Sequence, residues 1–215
     1  MTFFPIMLRL EGRKCLVVGA GQVAAQKAAG LLRHQAQVVV VAPQAVDRIR
    51  SAARTRKLVW LPRVFTLNDL KSAFLVIAAT NSPAINVAVF RACQARSVLC
   101  NVVDDPEHCD FFYPAVVRRG ALQIAVSTNG QSPALAARLR RELDKQFGPE
   151  WSTFVEHVGK LRQELLSTEI SPARKRQESA KMASRQAFQK FLRQRRAKKA
   201  DGHAAIPSAT RHPQQ

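Results

Sequence analysis

The chain has 215 residues, 47% of them hydrophobic, and a formal net charge of +19 from 34 Lys and Arg against 15 Asp and Glu. This composition excludes wholesale disorder, and nine glycines and four cysteines exclude collagen-like and disulfide-scaffold classes. No stretch approaches the roughly 20 apolar residues that cross a bilayer. The N-terminal run lacks a basic segment and a small-residue cleavage site. We therefore expect a cytoplasmic protein that does not enter a membrane.

The positive charge is divided between two parts of the chain. Residues 172–215 carry 12 Lys and Arg against 2 acids, a net +10, and residues 1–171 carry the other +9. A basic body favours a polyanionic partner, which is a nucleic acid, an anionic membrane surface or a small molecule with many carboxylates or phosphates.

Apolar runs alternate with helical patterns over the first half of the chain. Continuous apolar strands that alternate with helices are typical of a parallel sheet buried on both faces. The fold class predicted is therefore α/β, with a Rossmann-type doubly wound sheet. The predicted strands are residues 14–18, 38–41, 58–61, 74–79 and 98–103, and the predicted helices are 22–34 and 83–96.

The pattern changes after residue 104. Residues 112–117 and 122–127 flank a turn and predict an antiparallel hairpin. Ser132 and Pro133 have the residue types of an N-cap and a first helical position, and helical stretches follow at 150–166 and 172–199. We expect a dinucleotide-binding domain at 1–111, a hairpin and helix region at 112–147, a helical region with a basic tail at 148–200, and disorder at 201–215.

A glycine-rich element, Gly19-Ala20-Gly21-Gln22-Val23-Ala24, follows the first predicted strand and opens the first predicted helix. This is the context of a dinucleotide-binding turn, in which Gly19 permits the tight turn and Gly21 lets the backbone approach a pyrophosphate. Gln22 and Val23 then contribute the amide donors of the helix N-terminus.

The acid that usually binds the cofactor's ribose is missing after the second strand. Pro43 and Gln44 stand there, and the nearest acid is Asp47. Gln44 could bind the ribose instead. The nearby Arg48 could bind the ribose 2′-phosphate that distinguishes NADP from NAD. The spacing does not choose between NAD and NADP.

Polar residues follow two further strands. Four acids, Asp104, Asp105, Glu107 and Asp110, lie within seven positions. Asp104 directly follows the fifth strand, where ligands bind in open α/β sheets, so we interpret it as a functional base and the other three as loop residues. Thr80 and Asn81 follow the fourth strand, where they could contact a cofactor or cap the next helix.

A second polar loop, residues 127–132, leads into a helix N-terminus, which suits a carboxylate. The candidate substrate-binding residues there are Ser127, Thr128, Asn129 and Ser132. The four cysteines lack metal-ligand spacing, so no resident metal is expected.

These segments together resemble the precorrin-2 dehydrogenases, which include the dehydrogenase and ferrochelatase part of siroheme synthase. The resemblance covers about residues 3–145, and its motifs are specific in combination. They are residues 4–10 and 12–21, Val23-Ala24 with Lys27, Val41-Ala42-Pro43, Ala78-Ala79-Thr80-Asn81 with Asn86, Asn101-Val102-Val103-Asp104, residues 125–130, and Ser132-Pro133-Ala134-Leu135-Ala136.

The resemblance implies oxidation of precorrin-2 to sirohydrochlorin with NAD, with Asp104 in the catalytic position. It also implies a homodimer built by the hairpin and helix region and, in some members, insertion of ferrous iron to give siroheme. The sequence lacks the methyltransferase half of fused siroheme synthases, so a separate enzyme is expected to supply precorrin-2. Asn129-Gly130 stands where the family has a glycine pair, and the basic tail has no match.

One alternative is a Rossmann-type redox or metabolite sensor that binds nucleic acid through its tail. The chain has no helix-turn-helix or RNA-recognition signature, and the tail contains only two aromatic residues, Phe188 and Phe191. A simpler interpretation of the tail is a helix that packs these two rings with Leu192 and leaves its Lys and Arg in solvent.

Overall fold

The computed structural model describes residues 3–203 of the chain, with side chains described up to residue 197. Two compact units are present. The first extends to Tyr113 and includes Asn129–Gln131, and the second comprises Pro114–Thr128 and the chain from Ser132 onward. No helix within the described range is long and apolar enough to cross a membrane.

The first unit is built on a five-stranded parallel sheet with the order β3-β2-β1-β4-β5. The register aligns Val18 with Val41 and with Ala78, and Ala78 with Val102, so the strands end at one edge. The strands are β1 (Lys14–Val18), β2 (Gln37–Val41), β3 (Val59–Leu61), β4 (Leu75–Ala78) and β5 (Leu99–Val102).

Helices cover both faces of this sheet because alternate strand residues are apolar on each side. Cys15 and Val17 pack with α1 (Gln22–Arg33) and with Ile49 of α2 (Asp47–Arg54). Leu16 and Val18 face the opposite way and pack with α3 (Pro83–Gln94). The predicted doubly wound sheet is confirmed.

As far as residue 203, the second unit combines a hairpin with four helices. Strands β6 (Ala115–Arg119) and β7 (Leu122–Val126) are antiparallel, as predicted. The helices are α4 (Pro133–Gln146), α5 (Glu150–Leu166), α6 (Pro172–Met182) and α7 (Arg185–His203).

The aromatic residues of the tail pack inside the second unit. Phe188 stacks on Trp151 with ring centroids 4.3 Å apart, and both Phe188 and Phe191 contact Phe154 of α5. The Lys and Arg side chains of α7 up to residue 197 stay exposed. The simpler interpretation of the tail is therefore confirmed for Phe188, Phe191 and these exposed Lys and Arg residues, and the packing of Leu192 stays a prediction.

The helical patterns differ from the structure in two places. Helix α2 was not predicted, and the single helix expected over 172–199 is two helices separated at Ala183 and Ser184. The segment predicted to be disordered, 201–215, begins within α7, and residues 204–215 lie outside the described range.

Candidate functional site

The carboxyl ends of the parallel strands bring separate sequence motifs to one edge of the sheet. Gly19 N–H donates to Val41 O (2.9 Å), Ala79 N–H to Val18 O (2.8 Å) and Val103 N–H to Ala78 O (2.9 Å). These bonds continue the ladders one residue past the strands. The loops that follow β1, β2, β4 and β5 therefore begin side by side, where open α/β sheets bind ligands.

The glycine turn after β1 leaves the N-terminus of α1 open. Gly21 is the N-cap of α1, no side chain caps the helix, and no acid lies in its first turn. The first amide groups of a helix have no intrahelical acceptor, so this end can bind an anion. A Cβ at Gly21 would meet no atom within 4 Å. Gln22 and Val23 lie exposed in the first turn.

The turn and the neighbouring strand ends line a cavity of about 640 Å³, a size typical of small-molecule sites. Six of the eight predicted cofactor-binding residues line it, whereas Gln22 and Val23 do not. The six are Gly19, Gly21, Pro43, Gln44, Thr80 and Asn81. The sequence analysis missed other lining residues, among them Arg50, Trp60, Val64, Phe65 and Ile85.

The end of the cavity near β2 carries an amide and a cation. Gln44 and Arg50 line it, whereas Asp47 and Arg48 lie outside the lining. Arg50 Nη2 is 2.5 Å from Asp47 Oδ1, and this hydrogen bond lowers the pKa of the Asp47 carboxyl. An i,i+3 pair of opposite charges is a sequence signal for a helix that could have revealed α2.

The loop after β4 is fixed by Asn86, which is buried in α3. Asn86 Oδ1 accepts from the Thr80 N–H (3.1 Å) and lies 2.7 Å from the Thr80 hydroxyl, and its Nδ2 donates to Thr80 O (3.1 Å). Ser82 caps the helix, with its hydroxyl accepting from Ile85 N–H. Thr80 and Asn81 are therefore not the cap, and the Asn81 side chain makes no hydrogen bond within the described chain.

The loop after β5 presents Asp104 in an uncommon backbone conformation. Asp104 is exposed and has φ of +61°, a region that residues with a Cβ rarely adopt and that is often found at functional sites. The chain folds back immediately, with Cys109 Sγ 3.2 Å from both Val102 O and Asp105 O. The Asn101 amide donates to Phe111 O (2.9 Å) and closes the loop.

Two neighbouring acids have structural partners. Asp105 pairs with His108 (2.7 Å). Asp110 accepts from the Cys100 N–H (2.8 Å) and from the Gln94 amide (2.9 Å). These contacts anchor the loop to β5 and α3, whereas Glu107 is exposed. No group of three metal-ligating side chains occurs in the part of the chain that is described.

The predicted substrate-binding loop is divided between the two units. Asn129 belongs to the first unit, whereas Ser127, Thr128 and Ser132 belong to the second. Ser132 caps α4 by accepting from Leu135 N–H (3.2 Å), and its own N–H donates to the Thr128 hydroxyl (3.0 Å). These hydrogen bonds give Thr128 and Ser132 a structural role at the start of α4. Their predicted contacts with the substrate stay predictions.

The donors of the first unit fit a dinucleotide. An uncapped helix N-terminus suits a pyrophosphate, and the open space beside Gly21 lets it approach the backbone. Gln44 and Arg50 can hydrogen-bond a ribose, and Asn81 can bond an amide. The residue-by-residue assignment to cofactor groups stays a prediction.

Comparison with known proteins places these features in a family. Residues 6–115 match the family model described as putative NAD(P)-binding, and residues 119–146 match the one described as sirohaem biosynthesis protein central. The siroheme synthase of Neisseria meningitidis is 39% identical over 162 residues, which are 75% of this chain and 34% of that protein. Siroheme synthase 1 of Pectobacterium atrosepticum is 38% identical over 177 residues, 82% of this chain and 37% of that protein.

The solved structure of SirC, a precorrin-2 dehydrogenase, superposes with a TM-score of 0.76 at 26% identity, over 90% of this chain and 96% of that one. The chain spans about a third of the length of the siroheme synthases it matches. The resemblance predicted from the sequence is confirmed. Because the NAD(P)-binding model matches more than half of its residues, the chain belongs to this putative NAD(P)-binding family, and the match to the sirohaem biosynthesis central model follows directly along the chain.

Proposed function

We propose that this protein oxidises precorrin-2 to sirohydrochlorin with NAD as the hydride acceptor. The observation that carries the proposal is the edge of the sheet, where an open helix N-terminus, a cavity of about 640 Å³ and the exposed Asp104 follow adjacent strands. The similarity to SirC supports the choice of substrate.

The reaction removes a hydride and a proton from carbon and nitrogen atoms of the substrate. NAD, held at the open N-terminus of α1 and by the residues that line the cavity, would supply the hydride acceptor. Asp104 accepts the proton on a carboxylate oxygen, which its exposed position after β5 allows. Thr80 and Asn81, which follow the adjacent strand β4, line the cavity, whereas Asp104 lies outside its lining. Asn86 keeps the loop of Thr80 in place.

Anaerobic incubation of the protein with precorrin-2 and NAD tests this function through the absorbance of NADH. We expect Asp104→Asn to lower kcat by about 10²–10⁴-fold, the usual contribution of a positioned base, with NADH binding retained. Glu107→Gln is the matched control, because Glu107 is exposed in the same loop and should leave kcat unchanged. A wild-type protein that forms no NADH refutes the function, and a fully active Asp104→Asn protein refutes the base.

Ferrous iron insertion is part of the same proposal because the resemblance includes it. Two pyrrole protons must leave as the metal enters, and Asp104 is the group proposed to accept them one at a time, releasing the first to solvent before it takes the second. The iron is substrate here, and Fe²⁺ or Co²⁺ added after the oxidation tests the step by the absorbance of the metallated ring. An unchanged spectrum makes the protein a dedicated dehydrogenase. The homodimer and the cytoplasmic location stay predictions.

The alternative sensor role gains no specific support. The relatives reported above are described as siroheme synthases and a precorrin-2 dehydrogenase. The tail's aromatic residues, which could have stacked on bases, pack within the second unit instead.

A further inference from the structure

One lysine of the first unit is withdrawn from solvent without a polar partner. Lys27 lies half-buried on α1, and its Nζ is 3.8 Å from the centroid of the Tyr113 ring. Among the side chains described up to residue 197, its ammonium has no ion-pair partner, and it donates no hydrogen bond within the described chain. Lys14, by contrast, donates to the carbonyl oxygens of Asp69 (3.0 Å) and Lys71 (2.8 Å).

An ammonium in this setting is costly unless something binds it. Burial lowers the pKa of Lys27, while the charge of Asp104 raises it. The face of an aromatic ring attracts a cation, but it accepts none of the three N–H bonds that an ammonium can donate. Cations withdrawn from water in proteins are normally paired, and this half-buried ammonium has no anion bonded to it within the described residues.

The position of Lys27 indicates which anion is missing. Its ammonium and the Asp104 carboxylate interact electrostatically without forming an ion pair. Tyr113 follows the loop that the Asn101–Phe111 hydrogen bond closes onto β5. A ligand whose reacting atoms lie at Asp104 would therefore extend toward Lys27. If that ligand carries carboxylates, it must keep them away from Asp104, and Lys27 supplies the opposite charge.

We propose that Lys27 binds a carboxylate side chain of the substrate and so positions the tetrapyrrole against Asp104, an inference that rests on the proposed function. The contact is a charge-assisted hydrogen bond from Nζ to a carboxylate oxygen, stronger than a neutral bond and shielded on one side by the Tyr113 ring. It makes Lys27 a substrate-binding residue in addition to the predicted ones.

Steady-state kinetics with Lys27→Met tests the contact, because methionine keeps most of the apolar stem and removes the charge. We expect the KM for precorrin-2 to rise at least about tenfold, the usual effect of losing a hydrogen bond to a charged group. The KM for NAD should stay within about twofold, since Lys27 does not line the cofactor cavity. Lys27→Arg should restore most of the substrate affinity, because it restores the charge.

Lys57→Met is the matched control, because Lys57 is an exposed lysine of the same unit and its loss changes the net charge equally. Its KM for precorrin-2 should equal that of the wild type. A Lys27→Met protein with the wild-type KM for precorrin-2 overturns the inference. So does a rise that Lys57→Met reproduces, because that would be a general charge effect.

Two further outcomes are separated by the same experiment. If the wild type forms no NADH, the proposed function itself fails and takes this inference with it. If Lys27→Met does not fold, as judged by lost NADH binding, Lys27→Gln is measured instead and carries the same expectation. A wild-type protein that is active beside a Lys27→Gln protein with unchanged KM rejects the role of Lys27 alone.

Discussion

Two substitutions in the same turn should affect different properties of the protein. Gly19→Ala should mainly lower the stability of the fold, and Gly21→Ala should mainly weaken cofactor binding. Gly19 has φ of +103°, and a Cβ there would lie 2.6 Å from Ala79 C and 2.9 Å from Thr80 N. These are backbone atoms, so no side-chain rotation relieves the overlap. Gly21 has φ of −77° and free space where its Cβ would stand.

The structure gives different magnitudes for the two changes. For Gly19→Ala, the strained φ costs about 1–3 kcal/mol and the overpacking about 1–3 kcal/mol. We therefore expect its free energy of unfolding to fall by roughly 2–6 kcal/mol, with NADH binding weakened because the turn and the loop after β4 separate. Gly21→Ala removes only a favourable N-cap residue and should cost about 1 kcal/mol or less. Its methyl group occupies the approach to the pyrophosphate, so the Kd for NADH should rise at least about tenfold.

Chemical denaturation gives the free energy of unfolding, and NADH titration gives the Kd, both on the full chain. If Gly21→Ala binds NADH like the wild type, the dinucleotide does not pass over this turn and the placement of the cofactor is refuted. If Gly19→Ala is as stable as the wild type, the backbone contact with Ala79 does not constrain residue 19. The reasoning from the close approach then fails.

Two other changes test the loops around the cavity. Asn86→Ala leaves the backbone N–H and carbonyl oxygen of Thr80 without their Asn86 partners. The free energy of unfolding should therefore fall by about 1–3 kcal/mol, and the Kd for NADH should rise. If both values are unchanged, Asn86 does not position this loop. The hydrogen bond from Arg63 lowers the pKa of the buried Asp69 carboxyl in the folded protein. The ionised carboxylate therefore stabilises the fold above its unfolded pKa of about 3.9, and this contribution is lost as pH falls through the lower folded pKa. Asp69→Asn should therefore reduce stability by about 1–3 kcal/mol at pH 7 and approach the wild type in acid; parallel denaturation profiles from pH 7 to pH 3 would contradict this.

The parallel sheet could be predicted because each strand is a short apolar run bounded by polar residues. Strand β1 begins and ends where the pattern predicted, and β4 and β5 differ only by one residue at each end. The convergence of Gly19, Thr80 and Asp104 at one edge then follows from parallel topology alone. For this reason, six of the cofactor-binding predictions fall on one cavity.

The helix that was missed is short and mostly polar. Helix α2 has eight residues and one fully buried side chain, Ile49. Its apolar stripe, formed by Val46, Ile49, Ala52 and Ala53, has helical spacing but was overlooked, and Arg50 was overlooked with it. The break between α6 and α7 contains neither glycine nor proline. It does contain Ser184, whose hydroxyl accepts from Ala187 N–H (3.1 Å) as an N-cap residue does.

The environment of Lys27 could not be predicted because it depends on contacts distant in sequence. Tyr113 lies 86 positions after Lys27 and Asp104 lies 77 positions after it. On a helix wheel, Lys27 is an ordinary polar residue beside Ala24, Ala28 and Leu31, which are buried. Only the fold shows that the loop after β5 returns over α1 and covers the ammonium.

The net charge of +19 says less about function than the burial of individual cations does. Nearly every Arg and Lys on α6 and α7 up to residue 197 is exposed, and a solvated cation needs no partner to be stable. Arg63 in the first unit is paired with a buried carboxylate, which also accounts for it. Lys27 is half-buried, and within the described residues no anion is bonded to it. Its charge therefore points to a ligand, as we propose above, whereas the much larger charge of the tail does not.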